Sequence, residues 1–456
     1  MLVVGPPGTG KTEVMAKAAK ELIERDERLL ITSHTNRAVD NVIQKLPLEY
    51  TVRIGKTAII LPKAIKYALG NKALKEKGYE LSIFEDEIEN LKEDLHTLQN
   101  PQINRITTNE IAEANKKIRF IRNRIKQLVV DRKNLISKER TKLISESKII
   151  GATLIKSGLH PLRSEQFDTI LIDECSQVPL LVSLLGMFKA KKWVLIGDHK
   201  QLLPIFRCYN PIKNKKEITA LSSFCFFKEK YGERTIWLRH HYRSNSKIIG
   251  FSQKHIYDNK ITPVKECKNI KLDIERKSST QKEYLDPEKP VVFISVNGTE
   301  RYDISNSKYN EKELQAVSHI VDELISHGVK HKDIGIITPF RAQRYKIKTK
   351  IKKRNLEVNT VDSYQGREKD VIIFSITGTS SFDFIEDENR LNVAFTRARK
   401  KLIVIGNRDS ILHHTPYGLL SDYIQYAASL NGYIDENTLT NIDPMTPEIK
   451  QPNINY

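Results

Sequence analysis

A chain of 456 residues that is 39% hydrophobic and 29% charged has apolar mass for two or three globular cores, which excludes a fibrous or wholly disordered protein. Its formal net charge of +19 suits a polyanionic partner, although a lysine- and isoleucine-rich composition accounts for such an excess equally well. Cys175, Cys208, Cys225 and Cys267 form no C-x-x-C pair, no signal peptide precedes the first motif and no apolar run reaches membrane-spanning length; the expectation is a cytoplasmic protein without a zinc site and without a membrane partner.

In chain order, Leu2 to Val4 reads as a short apolar strand, Thr12 to Ile23 as a helix and Leu29 to Ile31 as the next strand, an α/β opening with a parallel sheet. A different rhythm follows. Leu81, Phe84, Ile88, Leu91, Leu95 and Leu98 step by three and four, as do Ile111, Ala114, Ile118, Ile121, Ile125 and Leu128. A loop containing Pro101 separates the two runs, and Thr107 with Glu110 reads as a capping box for the second. The pattern predicts an antiparallel helical hairpin over 59–147 with equal arms of about 27 Å each, at 1.5 Å per residue. The first arm is acidic (Glu85, Asp86, Glu87, Glu89, Glu93, Asp94) and the second basic (Lys116, Lys117, Arg119, Arg122, Arg124, Lys126), so the arms hold each other and the basic one needs no nucleic acid. A protein partner for the hairpin stays open.

Apolar strands recur at Thr169–Ile172, Trp193–Ile196, Val291–Val296, Ile334–Ile337, Val371–Ile376 and Leu402–Ile405. Two doubly wound α/β domains explain them better than one. The first occupies 1–58 and 148–232 around the inserted hairpin; the second covers 233–430. Tyr257 to Pro290, polar and lysine-rich, reads as a long surface connection, and the segment 431–456 as a poorly ordered tail.

The chemistry begins at Gly5-Pro6-Pro7-Gly8-Thr9-Gly10-Lys11-Thr12, a G-x-x-x-x-G-K-[ST] loop between a strand and a helix. Glycines let backbone N–H groups reach phosphate oxygens, and the helix N-terminus adds partial positive charge. Lys11 is expected to reach the β- and γ-phosphates of ATP, and Thr12 to ligate Mg²⁺. The strand Thr169–Ile172 ends in Asp173 and Glu174: one carboxylate for the metal, the other to orient and deprotonate the attacking water. Gln201, in Gly197-Asp198-His199-Lys200-Gln201, is placed to sense the γ-phosphate. Arg243, in His241-Tyr242-Arg243-Ser244, and Arg397, in Thr396-Arg397-Ala398-Arg399, supply planar donor forks for the charge that develops during phosphoryl transfer.

The order of these motifs resembles superfamily-one helicases, in the branch of senataxin and the nonsense-mediated-decay helicase. GPPGTGKT (5–12), SHTNRAVDNV (33–42), GATL (151–154), DECSQ (173–177) and GDHKQLLP (197–204) match the first-domain motifs. HYRSN (241–245), ITPFRAQ (337–343), VDSYQGREKD (361–370) and LNVAFTRAR (391–399) match those of the second. The resemblance implies two RecA-like domains in tandem that couple ATP hydrolysis to movement, from the five-prime towards the three-prime end, on single-stranded RNA or DNA. It implies that Lys11, Thr12, Asp173, Glu174 and Gln201 handle phosphate, metal and water, with Arg243 and Arg397 as fingers. Gly366 and Glu368 would line the nucleotide site, and Tyr242 would stack on adenine. Ser33, Thr35, Asn36, Thr153, Thr338, Pro339 and Ser363 would touch the strand's backbone, contacts that position without reading sequence. Phe340 and Tyr364 offer base-stacking faces, with core packing the expected role of at least one.

One departure is plain. The family carries an upstream glutamine motif that reads adenine and an accessory β-barrel; here the chain starts four residues before the loop and the insertion reads as helix. A minimal motor and a start lying further upstream both remain open, and so does the alternative of a nucleic-acid-stimulated ATPase that remodels or clamps complexes without unwinding. A monomer is expected.

Overall fold

The computed structural model describes residues 1–100, 108–206, 214–275, 282–353 and 355–436. They form two compact units: Met1–Leu2 with Thr12–Ile196, and Val3–Lys11 with the chain from Gly197 onward.

The first unit is built on parallel strands. After β1 (Leu2–Val4), the strands β2 (Leu29–Ser33), β3 (Thr51–Arg53), β4 (Ile149–Thr153), β5 (Phe167–Asp173) and β6 (Ala190–Gly197) lie in the order β3-β4-β2-β5-β6. β2 is buried along its whole length, as a central parallel strand covered on both faces must be. The register sets Ser33 of β2 opposite Thr153 of β4 on one side and Asp173 of β5 on the other. Three polar residues thus share the C-terminal edge, where open α/β sheets bind ligands. Helix α1 (Lys11–Glu24) buries Met15, Ala16 and Ala19; α2 (Asn36–Ile43) starts on Thr35, whose hydroxyl accepts the Ala38 N–H at 3.3 Å.

Between β3 and β4 come α3 (Leu69–Glu76), α4 (Gly78–Gln99) and α5 (Thr108–Glu146). The last two form the hairpin. Arg124 bonds Glu87 at 2.7 Å and Arg132 bonds Glu85 at 2.6 Å, so partner numbers fall along one arm as they rise along the other, which fixes the antiparallel sense. The arms are not equal. α4 has 22 residues and α5 has 39. At 1.5 Å per residue the longer arm extends about 58 Å. The apolar stripe stops being legible at Leu128 because Arg132 and Glu139 interrupt it, and each answers α4 or its start by charge (Glu139 to Lys77, 3.9 Å) instead of by packing. Leu81, Ile88, Ile121 and Leu128 are buried, whereas Ile111 near the tip is exposed. Pro101 and Thr107, and the side chain of Glu110, lie outside the described residues.

The second unit carries β7 (Thr235–Trp237), the pair β8 (His240–His241) and β9 (Thr262–Pro263), and a six-stranded parallel sheet. Its strands are β10 (Val291–Ser295), β13 (Ile334–Thr338), β14 (Glu357–Thr360), β15 (Lys369–Ser375), β16 (Ala398–Gly406) and β17 (Tyr433–Asp435), in the order β14-β13-β15-β16-β10-β17. A small antiparallel hairpin, β11 (Arg301–Tyr302) and β12 (Lys308–Tyr309), follows β10. One core is aromatic, with Phe395 stacked on Tyr423 at 4.4 Å and edge-on to Phe374; another is aliphatic, with Val317, Ile320 and Leu324 among Ile336, Val358 and Ile373.

Two expectations need correction. Tyr257–Pro290 is not merely a surface connection: Tyr257, Ile261, Cys267, Leu272, Tyr284 and Leu285 are buried in it. The sheet also continues past residue 430, since β17 pairs with β10 through Phe293 and Tyr433; residues 437–456 lie outside the described residues. No described helix is long and apolar enough to cross a membrane.

Candidate functional site

The phosphate loop takes its shape from two glycines with φ of +71° at Gly8 and +81° at Gly10, a region other residues rarely enter. A Cβ on Gly8 would also lie 2.6 Å from the His241 ring. The loop's carbonyls are held from one side. Val4 O accepts Leu238 N–H at 2.9 Å, Gly8 O accepts Tyr242 N–H at 2.8 Å, and Pro7 O lies 2.8 Å from His241 Nδ1. The opposite, N–H side of the turn is the one chemically suited to an anion. Lys11 folds back along the loop, its ammonium donating to Gly5 O at 2.6 Å and reaching Pro6 O at 3.5 Å; the Thr9 hydroxyl donates to Pro6 O.

On the first unit's edge, Asp173 is buried and its Oδ1 accepts the Glu174 N–H at 2.9 Å. Glu174 has φ of +51°, a left-handed conformation that costs energy in a residue with a Cβ and recurs at functional turns. A carboxylate from Asp173 and a hydroxyl from Thr12 make an oxygen donor set that suits a hard divalent cation.

In the second unit both arginines are held. Arg243 pairs with Glu368 through Nε and donates to Thr396 O at 3.2 Å. Arg397 is buried; its Nε donates to Val393 O at 2.9 Å and its Nη2 lies 3.5 Å from Gln201 Oε1. Gln201 donates through Nε2 to Asp198 Oδ2 at 2.8 Å, and the same oxygen accepts the Tyr257 hydroxyl at 2.6 Å. Asn392 donates to the Tyr257 oxygen at 2.7 Å and to Lys200 O at 2.7 Å; Asn389 donates to Gln201 O. Burial and the neighbouring Asp198 push the Tyr257 phenol well above its ordinary pKa, so it stays a donor. Gln201 is therefore fixed in both directions, amide nitrogen to Asp198 and amide oxygen to Arg397. Any displacement of one end must be felt at the other.

Two family profiles, each described as AAA domain, match residues 1–207 and 220–409. Over 94% of its length the chain is 32% identical to an uncharacterized ATP-dependent helicase of Methanocaldococcus jannaschii, 68% of which it covers. The chain belongs to the superfamily-one ATP-dependent helicases. This helicase is also 31% identical, over 89% of its length, to the DNA polymerase alpha-associated DNA helicase A of Saccharomyces cerevisiae, covering 62% of that protein. Against the regulator of nonsense transcripts 1 of Dictyostelium discoideum the identity is 28% over 99% of the chain and 32% of the relative. The chain thus spans about two thirds or less of the length of these relatives. Family membership makes it an ATP-using enzyme.

The helicase's remaining sequence-expected residues fall into two groups. Tyr242 is 60% exposed, Ser363 and Gly366 are exposed and Thr153 is half-buried, all accessible to a ligand. The Ser33 hydroxyl is buried without a protein partner among the described residues. The others already have work inside the protein. Thr35 caps α2, Asn36 Oδ1 accepts Arg53 Nη2 at 2.9 Å, and the buried Thr338 hydroxyl lies 3.2 Å from that of Thr377. Pro339 is buried too, and Tyr364 is core; Phe340 stays half-buried against Phe384. Sequence reasoning missed Tyr257 altogether, and missed Asn389 and Asn392 although Asn392 stands inside LNVAFTRAR. That motif was the available signal.

It also missed Glu313, which is fully buried near Thr338. Thr377 N–H donates to both carboxyl oxygens at 2.9 Å and the Ser375 hydroxyl donates to Oε2 at 2.6 Å. Burial outweighs these donors and pushes the Glu313 pKa up to about 8. A folded pKa above the unfolded value means the native state holds a proton that the unfolded chain releases. Stability from this group is full below about pH 4.5 and is lost as pH rises towards 8. Glu313→Gln removes the titration, so the variant should gain on the parent between about pH 5 and 8, by on the order of 1 kcal/mol per pH unit. Parallel denaturant midpoints across that range would contradict the assignment.

Proposed function

We propose that this helicase is a translocase which couples ATP hydrolysis to movement along single-stranded RNA or DNA from the five-prime towards the three-prime end. The observation that carries the reading is the Asp198–Gln201–Arg397 chain, which joins a γ-phosphate sensor to an arginine finger. Lys11 binds the β- and γ-phosphates, Glu174 takes a proton from the attacking water, and Arg243 and Arg397 stabilise the oxygens of the transferring phosphoryl group. Thr12 and Asp173 would hold Mg²⁺, which supplies positive charge to the phosphate oxygens when bound. Glu368 and Gly366 border the nucleotide, and Tyr242 offers an accessible ring to adenine. Before Arg243 acts it must exchange its Glu368 partner for phosphate, a replacement of one anion by another that keeps the guanidinium paired.

The edge residues Ser33, Thr35, Asn36, Thr153, Thr338, Pro339 and Ser363 would carry the strand. Ser33 and Thr153 are neighbours in register, and β13 and β14 bring Thr338 opposite Thr360, whose hydroxyl donates to Ser363 Oγ at 3.2 Å. The domain assignment that goes with this reading is a first RecA-like domain at 1–58 and 148–232, interrupted by the hairpin, and a second at 233–430. A reducing cytoplasm fits the scattered cysteines, and the expected state is a monomer.

ATP hydrolysis by the purified chain, alone and with single-stranded RNA or DNA, tests the reading. Stimulation by one polymer, abolished by Lys11→Ala, and displacement of a strand only from substrates with a five-prime tail are the expected results. Displacement from a three-prime tail would remove the polarity. Polymer binding without turnover would leave a clamp in place of a motor.

A further inference from the structure

His241 faces two partners that leave its ring one protonation state. Its Nδ1 lies 2.8 Å from the Pro7 carbonyl, which can only accept, and its Nε2 lies 2.9 Å from the Ser244 N–H, which can only donate. The ring must therefore be neutral, with its proton on Nδ1. It is fully buried. Burial, with Arg243 adding repulsion, pushes its pKa down to about 4, so the same state persists at neutral pH. The contacts continue beyond the ring: the Ser244 hydroxyl donates to Ala398 O at 2.7 Å and Asn245 N–H donates to Arg399 O at 2.9 Å. Ala398 is bonded directly to Arg397, and Arg243 lies in the chain between His241 and Ser244, both of which are anchored.

We infer that His241 is a positioning residue that sets the crown of the phosphate loop in register with both arginine fingers. It touches neither substrate nor metal; it acts through Pro7 on one side and through Ser244 on the other. The inference rests on Arg243 and Arg397 acting as fingers. Fingers are effective only when their donor forks meet the γ-phosphate, and the loop that seats the phosphate is the part whose offset from the fingers has to be fixed.

The test is polymer-stimulated ATP turnover by four full-length variants: His241→Phe, His241→Gln, Arg243→Ala and the Arg243→Ala/His241→Phe double. Phenylalanine keeps the ring volume and removes both bonds; misplacing the reacting groups should lower kcat by about 10²-fold. KM for ATP should stay within about threefold, because the loss falls on the transition state. Glutamine carries one donor and one acceptor and should restore most of the rate. In the Arg243→Ala background the phenylalanine should cost much less than in the parent, since one of the two fingers it positions is gone. Full kcat in His241→Phe, no rescue by glutamine, or an equal loss in both backgrounds would each overturn the inference; the last is also what a general folding defect would produce. An Arg243→Ala chain with unchanged kcat would instead refute the finger reading itself.

Discussion

Arg397→Ala is expected to lower kcat for ATP by about 10³-fold or more while changing nucleotide affinity little, as loss of an arginine finger does. Arg397 is buried beside Gln201, with one face of its fork on Val393 O and Thr396 Oγ1 and Nη2 directed at the sensor amide. Such a side chain is pre-organised, so little conformational entropy is spent when charge develops on the phosphate. Arg397→Lys should recover only a small part of the rate, because an ammonium is a point charge and cannot meet Gln201 and an oxyanion along two fixed directions. Gln201→Ala makes the complementary case. It leaves the guanidinium in place and removes the amide that joins it to Asp198, so hydrolysis should survive better than polymer stimulation. Single-turnover ATPase with and without polymer separates the two effects. Wild-type kcat in Arg397→Ala would show that the arginine is a structural residue of the helix–strand corner at Val393–Ala398.

How much of this was legible beforehand follows from the range over which each feature is encoded. The loop, the carboxylate pair and both arginines lie in contiguous strings whose chemistry is local, and a strand followed by a glycine turn and a helix needs no tertiary information. The long apolar strands were equally plain. β3, β4 and β14 were not picked out as strands: each has three to five residues, too few for a periodic signal, and each is held by the ladder of a neighbouring parallel strand. Tyr257 and Glu313 were invisible for another reason. A tyrosine in a lysine-rich stretch and a glutamate in the first turn of a helix are ordinary on the surface; only the fold buries one against Asp198 and the other under Thr377. The motif resemblance likewise marked Thr35 and Asn36 for nucleic acid, yet both have side-chain oxygens occupied by the protein. Proximity in a motif identified the right edge of the sheet without saying which atoms on it are free.

Asp40 is the sharpest instance, and it carries the largest expected effect on stability. It stands inside SHTNRAVDNV, but it is fully buried and bonded through Oδ1 to Arg53 Nε at 2.6 Å, and Arg53 is fully buried as well. Oδ2 accepts the Leu61 N–H at 2.9 Å, and the guanidinium donates through Nη1 to Ile54 O and through Nη2 to Asn36 Oδ1. Every polar atom is answered, which is the condition under which a buried ion pair is tolerated. Asp40→Ala would strand a guanidinium without a counter-ion and leave the Leu61 N–H unpaired, at a cost of about 3–5 kcal/mol. Asp40→Asn keeps one acceptor and should cost less. Asp40→Ala with Arg53→Met removes both charges and fills the space with apolar volume, so it should return most of the loss, a recovery that no surface pair would show. Denaturant unfolding of the three variants measures this directly; a single mutant within 1 kcal/mol of the parent would mean that water reaches Arg53. Because Asn36 is tied to the same guanidinium, the folded double mutant, which lacks that tie, should still bind a single strand more weakly than the parent. Restored stability with binding still weakened is therefore the signature that separates the cluster's structural work from its work at the sheet edge.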